Sequence, residues 1–235
     1  GIYNAYINGK KASDFILAPG TSQYNARLQY QTYDVSGLLN VGKNEILVTV
    51  GDGWWRGDTG YGGVRNSFGT DLAILCQLEI DRKTVLKSDK SGSASQEGPL
   101  GLNDLMQGEC YDARKENICE WHPVTEKQFG YENLVCSNSF DVVEKENYTG
   151  KQIHTPNGEV VIDFGQNIAG YVKFGFYAQA GQCITLYHGE CLDQNGNFTQ
   201  ENFQAPEHRV EQCVKYICKE GWNEYKPEKS IFGFR

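Results

Sequence analysis

The sequence predicts an all-β fold of two consecutive antiparallel β-sandwich modules of jelly-roll type, the second of which ends inside a strand pattern. Short runs that alternate apolar and polar residues recur along the chain, and turn residues separate them, as in β-sandwiches. No segment carries an apolar stripe of helical period longer than about two turns. We place the modules at residues 1–137 and 138–235, because the strand pattern breaks into a polar stretch near residues 136–150.

The predicted strands of the first module come in a regular order. "IYNAYING" alternates and ends in Asn8-Gly9, a pair that favours a hairpin turn because both residues tolerate positive φ. "RLQYQTYDV" also alternates, whereas "NEILVTV" and "DLAILCQLEI" predict more buried strands. The connecting "VSGLLNVGKNEI" allows one short helical turn.

The second module continues the same pattern. Its turn signals are Pro156-Asn157-Gly158 and Asn195-Gly196, which contain the residue types that tolerate tight turns. Its predicted strands are "EVVIDFG", "GYVKFGFYA", "CITLYHGECL" and "HRVEQCVKYIC".

Composition excludes several classes of protein. A chain of 235 residues with 39% hydrophobic residues can bury a core, so it is neither disordered nor fibrous. The formal net charge of -8 argues against a nucleic-acid partner, which requires a cationic surface. No apolar run approaches the roughly 18 residues that span a bilayer. Both ends of the chain lie inside strand patterns, and we therefore expect a fragment of a longer protein.

The cysteines predict free thiols rather than a disulfide framework. There are eight, and none forms a CxxC pair. Cys76 and Cys183 lie inside predicted strands, where buried free thiols are common. This pattern favours a reducing compartment.

The glycine-rich segment "GDGWWRGDTGYGGVRNSFG", residues 51–69, is the leading candidate for a binding site. Its glycine spacing differs from that of nucleotide-binding loops, and the chain contains no Gly-Lys-Ser/Thr. A pyranose fits better, because its hydroxyls suit charged side chains and its C–H face stacks on aromatic rings. The segment supplies rings at Trp54, Trp55, Tyr61 and Phe68, and polar groups at Asp52, Arg56, Asp58 and Arg65.

A structural interpretation of this segment is also open. One tryptophan would then close the end of the sandwich, and the glycines would only turn the chain. Adjacent residues of a strand face opposite sides, so we expect one of Trp54 and Trp55 to be buried and the other exposed.

Two metal patterns are weaker than their structural alternatives. Asp193, Asn195 and Asn197 match the first ligands of an EF-hand loop, but Phe198 replaces its glycine, so a hairpin turn is favoured. A zinc set would use HxxC and HxxxxC spacings, which are not standard, and we assign these residues to strands. Its members would be His188, Cys191, His208 and Cys213.

Many carboxylates are candidate acids and bases. A glycosidase needs two carboxyl groups at a defined separation, which the sequence by itself does not specify. The candidates at strand ends or beside turns are Asp163, Glu190, Glu109, Asp112 and Glu201.

Collinear motifs identify a resemblance. "YNAYINGKKASDFILAPG", "RLQYQTYDV", "GDGWWRG" and "GPLGLNDLMQGECYDAR", followed by "VVIDFGQNIAGYVKF", "HGECLDQNGNF" and "FGFR", cover nearly the whole chain. Together they resemble the N-terminal region of the bacterial α-L-rhamnosidases of glycoside hydrolase family 78.

The resemblance implies a non-catalytic fragment. In that family an (α/α)6 barrel carries the acid and base of an inverting hydrolysis of terminal α-L-rhamnosides, and we expect this chain to end before that barrel. The implied partners are rhamnose-containing glycosides and the C-terminal catalytic domain, with neither nucleic acid nor membrane. A purely structural role, bordering the barrel without binding sugar, is the alternative.

The resemblance also suggests site residues. The first module is similar to a rhamnose-binding module that uses calcium in some members, whereas the second is similar to a domain that packs on the barrel. No cofactor is required, but calcium is implied as a possible ligand, with Asp52, Glu109 and Asp112 as its candidate ligands. The candidate sugar-binding residues are Asp52, Trp54, Trp55, Arg56 and Asn25.

Overall fold

The structure is a computed structural model that describes residues 1–60, 62–117 and 120–235. Strands predominate among the regular elements of these residues, so the predicted all-β fold is confirmed. The helical elements are α1 (Gly53–Arg56) and 3-10 turns at Ser36–Leu38, Ala113–Lys115 and Glu201–Phe203. Within the described ranges, no helix has the length and apolar character needed to cross a bilayer.

The strands are short. In chain order they are β1 (Ile2–Ile7), β2 (Lys10–Lys11), β3 (Leu28–Tyr30), β4 (Ile46–Gly51), β5 (Gln77–Ile80), β6 (Lys83–Lys87), β7 (Ser93–Ala94), β8 (Leu100–Asp104), β9 (Gly108–Asp112), β10 (His122–Pro123), β11 (Leu134–Cys136), β12 (Lys151–His154), β13 (Val160–Asp163), β14 (Ile168–Gly170), β15 (Phe174–Ala178), β16 (Cys183–Tyr187), β17 (Cys213–Ile217), β18 (Gly221–Tyr225) and β19 (Phe232–Phe234).

The N-terminal sheet has the order β2-β1-β4 and is antiparallel. Asn8 and Gly9 have φ of 50° and 78° and join β1 to β2, which confirms the predicted hairpin turn. β1 pairs with β4 along its whole length, ending with Ile2 opposite Gly51. This pairing brings the residues that follow Gly51 beside the start of the chain.

Strands from both halves of the chain form one sheet. Its order is β16-β17-β9-β8, and β9 pairs with β17 in parallel, with Gly108 opposite Cys213. β3 and β11 form a second parallel pair. The local pattern did not indicate these pairs, because parallel partners are joined by long connections. The module boundary at residue 137 stays a prediction.

The predicted turns of the second half are also present. Pro156-Asn157-Gly158 connects β12 to β13, which pair as a hairpin, and Gly158 has φ of 84°. A bridge between Leu192 and Phe198 closes the turn at Asn195-Gly196. The main core lies nearby and is rich in aromatic residues: it contains Ala113, Val214, Tyr216, Cys218, Tyr225, Phe232 and Phe234.

Two expectations about burial are wrong. In "DLAILCQLEI" only Gln77–Ile80 forms a strand, and it is largely exposed because it pairs with β6 alone in a two-stranded sheet. Cys76 is half-buried and Cys183 is exposed, whereas the buried thiols are Cys213 and Cys218. All seven cysteines that the structure describes are free.

The buried carboxylate of Glu109 fixes the C-terminal segment to β9. It is 1% exposed and accepts hydrogen bonds from the Tyr225 hydroxyl, from the Lys229 amide at 3.0 Å and from the Ser230 hydroxyl at 3.0 Å. The Glu228 amide adds a longer contact of 3.3 Å. Burial raises the pKa of the Glu109 carboxyl, while these donors oppose that rise by stabilising the ionised form.

The same segment also reaches the N-terminal sheet. The Glu228 carboxylate accepts hydrogen bonds of 2.8 Å from Asn4 Nδ2 and from the Tyr6 hydroxyl. Lys11 Nζ lies 3.1 Å from the same carboxylate. Lys229, which is buried, points its Nζ towards the Thr49 carbonyl at 3.4 Å. Residues 228–230 therefore connect β9 to the β2-β1-β4 sheet.

His188 is in the second half of the chain and packs against the core as a neutral ring. It is 3% exposed, and its ring centroid lies 4.5 Å from that of Phe232. Its Nδ1 lies 2.9 Å from the Gln212 carbonyl, while its buried Nε2 has no partner among the described residues. Burial lowers the pKa of His188 to about 4, because the charged imidazolium would lose its hydration.

We predict that Glu109→Gln lowers the free energy of unfolding by about 3 kcal/mol, because an amide nitrogen would then face buried donors. Urea unfolding at neutral pH measures the change. The matched control is Glu97→Gln, since Glu97 is exposed, and it should stay within about 0.5 kcal/mol of the unmodified chain. Equal stability of the two variants would contradict the anchoring role of Glu109.

We also predict an acid-sensitive share of stability from His188. Unfolding exposes the imidazole, which then binds a proton when the pH falls below its ordinary pKa of 6.5. The contribution of His188 to stability is therefore present above pH 6.5 and is lost as the pH falls towards 4. The loss amounts to about 3 kcal/mol. Urea unfolding between pH 7 and 4 should show it in the unmodified chain and in the exposed control His122→Gln, but not in His188→Phe. Parallel pH profiles for all three chains would refute it.

Candidate functional site

The glycine-rich segment begins where β4 ends, and α1 lies at its start. Gly53 has φ of 48°, and a Cβ there would lie 2.7 Å from Ile2 Cγ2, so both conformation and space require glycine. Trp54 and Trp55 follow on the helical turn, and both are half-buried. The expectation that one is buried and the other exposed is wrong, because that alternation holds for a strand and not for a helical turn.

A network of charges organises the segment. Asp52 is 7% exposed, and its two carboxylate oxygens lie 2.6 Å from Arg56 Nε and 3.1 Å from Arg65 Nη2. Arg65 Nη1 lies 2.5 Å from Asp104, which is fully buried at the end of β8. The Asp52 amide also donates to Asn103 Oδ1 at 2.7 Å. Two arginines from one loop are thus held by aspartates from two different strand ends.

Asp104 also fixes the backbone on both sides of the network. Its Oδ1 accepts from the amides of Met106 at 2.9 Å and Gln107 at 3.0 Å. Its Oδ2 accepts from the Asp58 amide at 2.8 Å, in addition to Arg65. The carboxylate therefore joins the loop after β8 to the loop after α1.

Asp58 links this network to a distant part of the chain. Its Oδ2 accepts from Gln107 Nε2 at 2.7 Å, and His208 Nε2 lies 2.7 Å away but outside hydrogen-bond geometry. Its buried Oδ1 has no partner within the described residues. The region contains three buried aspartates, Asp52, Asp58 and Asp104, and two arginines that pair with them.

Aromatic side chains pack beside the charges. Trp55 lies 5.7 Å from Tyr24 and 6.1 Å from Phe68, measured between ring centroids. Its Nε1 donates to the Asp71 carbonyl at 3.0 Å, so the indole is fixed in place. Trp54 is half-exposed on the same turn. Tyr61, the remaining predicted ring, lies outside the described residues.

The other predicted sugar-binding residues lie around this cluster. Arg56 is half-exposed, and besides Asp52 it contacts the Thr70 carbonyl at 3.0 Å. Asn25 is exposed and directly follows Tyr24, which contacts Trp55. Its backbone carbonyl accepts from Asn133 Nδ2 at 2.9 Å.

The predicted calcium ligands do not fit one calcium site. Asp52 is occupied by two arginines, Glu109 by the buried donors of the C-terminal segment, and Asp112 by the Arg114 guanidinium at 2.9 Å. Calcium requires several oxygens that converge on one point, but these carboxylates are directed to separate partners. No group of three or more His, Cys, Asp or Glu side chains suited to a metal is found in the part of the chain that the structure describes.

The residues of the weaker patterns have structural partners. Asp193 accepts from the amides of Asn195 and Asn197, each at 2.8 Å, which confirms a hairpin turn there. The histidines proposed for zinc are separate, since His188 contacts the Gln212 carbonyl and His208 contacts Asp58. The carboxylates at other strand ends also have partners within the chain. Asp163 pairs with Arg235 and accepts from the Gly165 amide, Glu190 accepts from Asn202, and Glu201 pairs with Arg209.

Several residues of the cluster were missed as site residues. Asp104, Gln107 and His208 lie far from the glycine-rich segment in sequence, and no local pattern links them to it. The available signal was that "LNDLMQGE" contains an aspartate at the end of a strand, where loops of neighbouring strands meet.

Comparisons with known proteins match the whole chain. The family model described as the α-L-rhamnosidase N-terminal domain matches residues 1–152. The model of the bacterial α-L-rhamnosidase concanavalin-like domain matches residues 153–235. An α-L-rhamnosidase of Streptomyces avermitilis is 31% identical over 100% of this chain and 24% of its own length. One from Formosa agariphila is 29% identical over 100% of this chain and 27% of its own length.

Solved structures agree in fold. The native α-L-rhamnosidase of Aspergillus terreus aligns with a TM-score of 0.90 and 32% identity, covering 100% of this chain and 28% of that one. The Streptomyces avermitilis α-L-rhamnosidase, complexed with L-rhamnose, aligns with a TM-score of 0.89 and 30% identity, covering 100% and 24%. The chain thus spans about a quarter of the length of the curated relatives it matches.

We predict that Asp104→Asn opens the loop after α1, because one amide nitrogen would replace an acceptor that serves two donors. The expected loss in the free energy of unfolding is about 3 kcal/mol, with faster hydrogen exchange at the Asp58 amide. Hydrogen exchange followed by mass spectrometry measures the opening. Asp14→Asn is the exposed control and should exchange like the unmodified chain. Unchanged protection in Asp104→Asn would contradict the network.

Proposed function

Because this chain belongs to the α-L-rhamnosidase family along its whole length, we propose that it is the non-catalytic N-terminal part of a longer rhamnosidase. The longer enzyme would hydrolyse terminal α-L-rhamnosides, and its acid and base would lie in the C-terminal part. The observation that supports this most directly is coverage, since the relatives match all of this chain with about a quarter of their own length. The described residues by themselves are then expected to lack turnover.

We further propose that the glycine-rich segment, residues 51–69, binds a rhamnoside. Trp54 suits the stacking role better than Trp55, because Trp55 is already packed against Tyr24 and Phe68 and donates to a backbone carbonyl. Arg56 is half-exposed and has further donor capacity for a sugar hydroxyl. Asn25, exposed beside the aromatic cluster, is a second polar candidate.

Asp52 has a different role in this proposal. Both of its oxygens are engaged by arginines, and the residue is buried, so direct contact with a sugar would break an ion pair. We assign Asp52 as a positioning residue that holds Arg56 and Arg65 in place. Calcium is no part of the proposed site, because its candidate ligands do not converge.

A purely structural role is the second candidate. It is favoured by the partners of two of the three buried aspartates, since Asp52 and Asp104 satisfy their oxygens within the chain. A region that only borders the catalytic part needs such rigidity and no ligand. The same segment would then contact the rest of the enzyme.

Calorimetric titration with L-rhamnose separates the two roles. The binding role predicts saturable heat that is lost in Trp54→Ala and kept in Trp121→Ala, a control because Trp121 is exposed and lies outside the segment 51–69. The same titration with calcium and then with chelator tests metal dependence, which we expect to be absent. No heat under any of these conditions leaves the structural role.

An activity assay completes the test. The chain is incubated with an aryl α-L-rhamnoside, and release of the aryl group is followed. We expect no turnover, because the proposal puts the acid and the base outside this chain. Turnover that survives purification to homogeneity would overturn the non-catalytic assignment.

A further inference from the structure

The two-stranded sheet formed by β15 and β18 has one face in the core and one face in solvent. Phe174 and Phe176 pack against the core, as does Tyr225, and Asn223 is fully buried between the strands. The opposite face consists of Lys173, Gly175, Tyr177, Trp222 and Glu224, which we call the outer face. The core therefore packs against one face of this sheet and supports it.

Two large aromatic side chains are exposed on the outer face. Tyr177 and Trp222 are directly opposite each other across the strands and are 80% and 50% exposed. Their ring centroids lie 5.1 Å apart with an interplanar angle of 64°. The two adjacent rings form one apolar patch, and contiguous apolar patches are a feature of ligand-binding surfaces.

Gly175 sets the position of the indole. A Cβ at this residue would lie 2.8 Å from Trp222 Cζ2, so the six-membered ring lies against the glycine backbone. Any other residue would displace the ring from the sheet. Because Gly175 has no side chain, the Trp222 indole can lie against the sheet at this position.

A charge pair lies at the other end of the outer face. Lys173 Nζ lies 2.7 Å from Glu224 Oε1, and both side chains are more than half exposed. Lys173, Gly175, Trp222 and Glu224, with Phe174, line an open depression of about 300 Å³.

We propose that the outer face binds a neutral pyranose residue of a glycan, with the sugar's C–H face on Trp222. The ammonium and the carboxylate present a donor and an acceptor side by side, which suits neighbouring hydroxyls that each donate and accept. The Lys173–Glu224 pair is neutral overall, so it offers a nucleic acid or an anionic lipid surface no net positive charge, and a deep apolar ligand would find no enclosed cavity at this face. The outer face shares no residue with the glycine-rich segment 51–69, and only the choice of a rhamnoside as probe rests on the proposed function.

Fluorine NMR resolves the two sites in one experiment. The chain has four tryptophans, which are labelled with fluorotryptophan and assigned by single Trp→Phe variants. Methyl α-L-rhamnopyranoside is the probe. We expect a saturable shift of the Trp222 signal with a Kd on the order of 1 mM, as for one stacking ring and two hydrogen bonds. The Trp121 signal, from an exposed indole elsewhere, should not move.

Two variants test the geometry. Gly175→Val fills the place of the indole and should abolish the response of Trp222. Glu224→Gln keeps the shape but removes a charge-assisted acceptor, and it should weaken binding about tenfold. In both variants the response of Trp54 should be unchanged.

The outcomes separate this inference from the proposed function. A Trp222 signal that ignores the sugar while Trp54 responds overturns the inference and leaves the proposed site, and the reverse result overturns the proposed site alone. Equal shifts of Trp222 and Trp121 indicate non-specific contact and also overturn it. A Trp222 signal that moves only when the C-terminal part of the enzyme is added would identify that part as the occupant and reject the pyranose.

Discussion

The structure depends on a single buried carboxylate. Glu109 is on β9, the strand of the first half that pairs with β17 of the second half, and it receives the donors of the C-terminal segment. A buried charge is tolerable only when its hydrogen bonds are complete, so every donor around it is constrained. The next residues, Glu228 and Lys229, then contact the N-terminal sheet. One desolvated group therefore fixes three parts of the chain relative to each other.

Local chemistry made much of the fold predictable. The hairpin at Asn8 and Gly9 and the turn at Asn195 and Gly196 follow from residues that accept positive φ. The failures lie where partners are distant in sequence. Cys183 looked buried from its neighbours, but its side of the sheet is uncovered, and no local pattern reports what lies over a strand.

The candidate site shows the same contrast between residues that are close in sequence and residues that are distant. The glycine-rich segment was recognisable from its rings and charges, because those residues are contiguous. Asp104 and His208 were not, because their link to Asp58 depends on how three loops meet. The sequence predicts that Trp54 and Trp55 alternate as in a strand, but they lie on the helical turn Gly53–Arg56. Tertiary contacts decide such short segments more than propensity does.

The parallel pairing of β9 with β17 has a consequence for how the chain acquires its structure. Gly108 leaves the ribosome long before Cys213, its partner across the sheet. Until then β9 presents an unpaired edge, which is a template for association with other chains. The matched family regions meet at residues 152 and 153, between these strands, so an N-terminal region made alone would keep that edge open. The two family regions therefore share one sheet, and the β9 edge of the first region is covered only by a strand of the second.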